Sequence, residues 1–143
     1  MSTLFQFQPE PDTPIVCDFT DATDTPQERF AEYGRLFNAS LIGRERTADA
    51  VVLTFQPGDD VAEWVADLAA REAACCPFMS YHVTADETAI RWVTWGSEAM
   101  QPILDEYHAM YEAVKTSTPD ELIDRVTAGG FEIRLPEPTR RRS

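Results

Sequence analysis

The side chains whose types and spacing could do chemistry are the three cysteines, Cys17, Cys75 and Cys76, and the glutamate at position 72. A helix advances about 100° per residue, so Glu72, Cys75 and Cys76 fall within about 60° of the centre line of the stripe set by Val61, Val65 and Leu68. Both thiols are therefore expected to face inward. Neighbouring cysteines on a helix are badly placed to bond to each other, because the ring would distort the peptide between them. They can converge on a large, soft ion such as Hg(II), As(III), Cd(II) or Zn(II) when a third ligand closes the site, and Cys17 is the obvious third. Sulfurs sharing one ion at Zn-like bond lengths would sit roughly 3.5 to 4 Å apart. An odd number of cysteines with no export signal reads as reduced thiols, not as a disulfide framework.

Glu72 lies one helical turn before Cys75 in an otherwise apolar stripe, where a carboxylate without a partner is costly. It reads as a fourth ligand, as a base that draws a proton from a thiol, or, more plainly, as half of a salt bridge to an arginine such as Arg44, Arg46 or Arg91. His82 follows the Cys-Cys-Pro turn on a β-rich run, alternating with Ser80 and Thr84, and is a possible accessory group. His108, between core positions of a helix, is given no role. Trp64, Trp92, Trp95, Phe78, Met79 and Tyr81 could wall a pocket, but side chains at such spacings usually fill a core, and a buried cysteine is often only a small hydrophobe. There is no Gly-rich phosphate loop, Cys-x-x-Cys pair or nucleophile elbow.

The elements that must position these groups follow from local signals. Pro9, Pro11 and Pro14 make residues 1–14 an extended lead-in. Residues 15–19 are short and β-compatible. Thr25-Pro26-Gln27-Glu28 is a capping box with proline at the first helical position, and the helix it opens runs to about Leu41, with Gly43 offering a stop. Residues 50–55 form an apolar strand bounded by Pro57-Gly58. Asp59 or Asp60 caps the cysteine-bearing helix, which Pro77 ends. Residues 79–85 and 89–95 flank Asp86-Glu87 as a hairpin. Another helix opens at Gly96-Ser97 with Pro102 in its first turn. Thr118-Pro119-Asp120-Glu121 repeats the start signal for a short helix, stopped by Gly129-Gly130 before residues 131–135. The expected fold is one α+β domain, with a mainly antiparallel sheet and helices on one face. Residues 15–116 form its core, residues 117–135 an added helix and strand, and residues 136–143 a polar tail.

Around Glu72-Ala73-Ala74-Cys75-Cys76-Pro77-Phe78 the chain resembles a family of small actinobacterial proteins carrying a Glu-x-x-Cys-Cys-x-Phe element, related to C-terminal domains of some MerR-like regulators. The resemblance takes in Cys17-Asp18-Phe19-Thr20, Arg29, Leu36-Phe37 and residues 41–47, and so covers about residues 15–112. It implies that Cys17, Glu72, Cys75 and Cys76 belong to one pattern and suggests a sensory or metal-handling setting. The regulators' DNA-binding module has no counterpart in the Pro-rich start.

The chain has 143 residues, 43% of them hydrophobic, which suffices for one real core and excludes both tandem modules and global disorder. Its formal net charge of -13 would repel phosphate backbones, so nucleic acid is not an expected partner, and Arg140, Arg141 and Arg142 are the only basic cluster. No apolar stretch approaches a membrane span and no secretory pattern opens the chain, which makes the cytoplasm the expected location. The C-terminal addition could serve dimerisation or cover a sheet edge. The leading functional expectation is a soft metal or metalloid binding protein built on Cys17, Cys75 and Cys76 with Glu72. The alternatives are a thiol-dependent redox or detoxification enzyme, in which Glu72 or His82 takes a proton, and an interaction domain with inert cysteines.

Overall fold

The computed structural model describes residues 2–114, 116–128 and 132–135. In it the capping box of Thr25 and Glu28 forms as two reciprocal hydrogen bonds, Glu28 N–H to Thr25 Oγ1 at 3.1 Å and Thr25 N–H to Glu28 Oε1 at 2.9 Å, and opens helix α1, Pro26–Ser40. The helix does not use Gly43 as a stop. The chain passes at Leu41 straight into strand β3, Leu41–Arg46, because the Leu41 N–H still reaches the Phe37 carbonyl while its own backbone is already extended. The strands preceding α1 are β1, Ser2–Phe7, and the two-residue β2, Cys17–Asp18.

Strand β4, Ala50–Phe55, pairs with β3, and helix α2, Val61–Cys75, follows the Pro57-Gly58 turn. Asp60 at its N-cap takes φ 65°, the left-handed region open to Asp and Asn, and its side chain makes no capping bond. Strands β5, Ser80–Ala85, and β6, Ile90–Trp95, form the expected hairpin, with Asp86 Oδ1 accepting from the Thr88 and Ala89 N–H groups in the turn. A single 3-10 turn at Glu98–Met100 leads into α3, Gln101–Ala113, with Pro102 in the first turn, where its missing N–H is harmless. Gly96 admits this turn, since a Cβ there would lie 2.7 Å from the Met100 Cβ. The second capping box, Thr118 with Glu121, opens α4, Pro119–Ala128, and β7 is Ile133–Arg134. The Gly129-Gly130 stop, Phe131 and the polar tail of residues 136–143 lie outside the described residues.

The five strands form one antiparallel sheet in the order β1-β5-β6-β4-β3, and the helices pack on one face, an α+β domain. Alternation sets that face: Leu53 pairs with Trp92, which pairs with Val83, and all three are buried, whereas their strand neighbours are half-exposed. The lead-in read as merely extended includes β1, which adds to β5 as an edge strand. Its prolines fall after the strand, at positions 9, 11 and 14, where no ladder bond is needed. A separate parallel pair joins β2 to β7, Cys17 opposite Ile133, so the C-terminal addition covers the segment carrying Cys17. No helix among the described residues is long and apolar enough to cross a membrane.

Candidate functional site

The C-terminal end of α2 meets the start of α1 and strand β2. Glu72 and Cys75 lie on the last helical turn, and Cys76 follows as the C-cap, its N–H donating to the Glu72 carbonyl at 2.7 Å. Cys75 and Cys76 are each 2% exposed and Glu72 is 6%, as the inward-facing stripe required. Cys76 has left helical geometry, with φ -123° and ψ 66°, so its side chain diverges from that of Cys75. Tyr81 fixes the turn by donating from its hydroxyl to the Cys76 carbonyl at 3.0 Å.

That divergence separates the two thiols chemically. Cys76 is joined to Cys17 in a disulfide, their α-carbons 4.4 Å apart, while Cys75 is a free buried thiol. The expectation of three reduced cysteines is thus corrected: β2 lies against the C-cap of α2, and the bond links sulfurs that the sequence places 59 positions apart. Cys75 instead receives the Arg29 Nη2 at 3.5 Å and lines a different recess, with Asp18, Asp21, Ala22 and Ala74. Burial pushes the Cys75 thiol above its ordinary value, and the Arg29 hydrogen bond only partly opposes this.

Arg29 is the centre of the site. It is 2% exposed and is held from four sides: Asp24 accepts from Nε at 2.6 Å and from Nη2 at 2.8 Å, Glu72 Oε1 accepts from Nη1 at 2.6 Å, and the Phe19 ring lies 4.8 Å from its guanidinium carbon. Burial opposes its charge, but the Asp24 hydrogen bonds and the Glu72 charge more than offset this and raise its pKa. Asp24 is in turn lowered by its Arg29 hydrogen bond. Arg71 extends the network to Asp24, Glu32 and Asp67, so four carboxylates share two guanidinium groups. Glu72 keeps its second oxygen free of these pairs, with Oε2 lying 4.0 Å from the Cys76 Sγ.

Glu72 is thus in a salt bridge to an arginine, as its plainer reading expects, but the arginine is Arg29 and not Arg44, Arg46 or Arg91. Arg44 and Arg46 reach across to α3, where Arg44 meets Glu112 and the His108 ring and Arg46 meets Asp105. Nothing in the α1 pattern beyond the resemblance marked Arg29 as functional; the signal available was a charged residue beside Phe30 and Tyr33, on the edge of the apolar stripe, one turn into the helix. His82 is not near the cysteines. It sits among the half-exposed residues of β5, on the side away from Tyr81 and Val83, and contacts Thr3 Oγ1 at 3.3 Å. Trp92, Phe78, Met79 and Tyr81 are core, and Trp64 donates to Glu32 at 2.7 Å.

Cys17, Cys76, Glu72 and Arg29 line one recess, with Phe19, Tyr33 and Tyr107 among its other walls. Burial raises the Tyr33 and Tyr107 hydroxyls well above their ordinary values, so both stay protonated. In the disulfide state a three-sulfur ion site is not assembled, since Cys17 and Cys76 are bonded to each other and Cys75 faces a guanidinium. Among the described residues no group of three or more His, Cys, Asp or Glu is arranged to hold a metal ion. The chain matches no protein-family model, curated protein or solved structure.

Proposed function

We propose that this chain is a thiol-redox protein whose Cys17 and Cys76 alternate between disulfide and dithiol, with Glu72 serving Cys76 as proton acceptor and donor. The observation that carries the reading is the Glu72 carboxylate at the disulfide. Arg29 pins Oε1 at 2.6 Å and leaves Oε2 4.0 Å from the Cys76 Sγ, in a recess shared with both bonded sulfurs. A bond serving only as a staple has no use for such a group; a cycling pair can use it, because reduction places a proton on Cys76 and oxidation removes it. In the forward step an external thiol loses its proton as its sulfur bonds to one protein sulfur, the Cys17–Cys76 bond breaks, and the freed sulfur takes a proton. A second external thiol then attacks the external sulfur of that mixed disulfide, so that the two external sulfurs form a disulfide, the other cysteine leaves as a thiol, and two electrons have passed to the protein. Cys75, raised by burial and held by Arg29, stays outside the exchange.

A second reading keeps the soft-ion expectation for the reduced state alone, favoured by the adjacency of Cys17, Cys76 and Glu72 Oε2. One experiment addresses both. The native chain is reduced, exchanged into buffer without thiol, and divided between a disulfide oxidant and a titration with Hg(II) or arsenite. The redox reading expects rapid return of the Cys17–Cys76 bond with Cys75 free. A tight single equivalent of ion that blocks this return, and that is lost in Cys75→Ser, would instead restore the three-cysteine site.

A further inference from the structure

The recess that reaches the disulfide has a volume of about 40 Å3, and its walls beyond the two sulfurs are largely apolar: Phe19, Phe30, Met110, Val126 and Ile133 among them. A water needs roughly 10 to 15 Å3 on this measure, so the space takes about three such groups. Its two charged residues, Arg29 and Glu72, are bonded to each other at 2.6 Å, and Arg29 is also doubly bonded to Asp24. No cation is left over there to receive an anion. Nor is the spare Glu72 oxygen open to a cation from solution, because Glu72 is buried and the walls of the recess present almost no polar surface. A charged group entering the recess would lose its water without gaining a partner.

Resting on the redox reading of the same site, we infer that the exchange partner admitted to Cys17 and Cys76 is a small, uncharged thiol. It enters protonated, gives its proton to solvent as its sulfur bonds to Cys17 Sγ, and displaces Cys76, which takes a proton by way of Glu72 Oε2. A second molecule displaces Cys17, so that two thiols become one external disulfide and the protein gains two thiols. The size and the charge balance of the recess set this preference, and the surface sets a different one. With a formal net charge of -13, attraction at the surface alone would favour a cationic thiol.

The full-length chain in its disulfide form separates the two rankings. It is reduced by 2-mercaptoethanol, by cysteamine, which is similar in size and cationic, and by 2-mercaptoethanesulfonate, each at 0.1 and 1 M NaCl. Each rate is divided by that of the same thiol on the urea-unfolded chain, to remove differences in thiol acidity. The neutral thiol is expected to keep an advantage of about 30-fold over both charged ones, at both salt concentrations. Val126→Phe, which fills the recess, is expected to remove most of that advantage. Equal normalised rates, or cysteamine fastest at low salt with the ranking erased by 1 M NaCl, would overturn the inference while leaving the redox reading standing. Native reduction whose rate does not depend on thiol concentration, being set by unfolding, would overturn both.

Discussion

At Arg29 one buried guanidinium organises every group of the site, and its pairing explains why a carboxylate survives in the apolar stripe of α2. Replacing it with Met leaves the buried Glu72 without its cation and Asp24 with Arg71 alone, a loss of about 3 to 5 kcal/mol to be read from urea unfolding. Arg29→Lys is expected to recover only part of this, because one ammonium cannot reproduce the fork that serves Asp24 and Glu72 together. The same pairing sets an acid limb. Arg29 lowers Asp24 below its ordinary 3.8, so the folded state binds this proton less readily than the unfolded chain. The contribution is whole above that ordinary value and is lost as the pH falls through the lowered one; Asp24→Asn should flatten stability against pH in that acid range. For Cys75 the sign is opposite, since burial raises the thiol. Alkylation of native protein with a neutral reagent should stay slow at pH 8 and accelerate only above the ordinary thiol value of 9.0.

Elements bring these residues together, and their start signals are strong. Thr25→Ala removes one arm of the α1 capping box and should cost about 1 kcal/mol, with the loss seen in urea unfolding. That box, the hairpin turn at Asp86, the second box at Thr118 and the inward phase of Glu72, Cys75 and Cys76 were all legible in the residues, because each depends on contacts within a few positions. Three features were not. The passage from α1 into β3 has no breaker, since Ser40 and Leu41 carry no stop and Gly43 lies inside the strand. Strand β1 is weakly patterned and exists because β5 offers it an edge. The Arg29–Glu72 pair and the Cys17–Cys76 bond join positions far apart in sequence, whereas the departure of Cys76 from helical geometry follows from Pro77, the stop read for this helix. The bond also holds β2, and through it β7, to α2. Closing a loop of this separation, 59 residues, is worth about 4 kcal/mol, so Cys17→Ala should lower unfolding stability by about that amount.

On the scale of the whole molecule, the redox proposal requires the domain to remain folded while the Cys17–Cys76 bond opens and closes. Leu53, Val83 and Trp92 belong to the same apolar cluster as Cys17 and Cys76, but the strand ladders that carry them, β4 with β6 and β6 with β5, do not run through the bond. Self-repulsion from the net charge of -13 works against the compact state, and raising NaCl from 0.05 to 0.5 M should increase the Tm of both redox forms in parallel. The most direct measurement of the central claim is a redox equilibrium of the native chain in graded mixtures of reduced and oxidised dithiothreitol, approached from both directions. Samples are quenched, alkylated and weighed by mass spectrometry, with circular dichroism recorded alongside. The account predicts one reversible two-electron transition confined to Cys17 and Cys76, with Cys75 alkylated only after denaturation and the secondary structure retained on both sides. A bond that resists reduction until the circular dichroism collapses, or a reduced chain that reoxidises through Cys75, would contradict it.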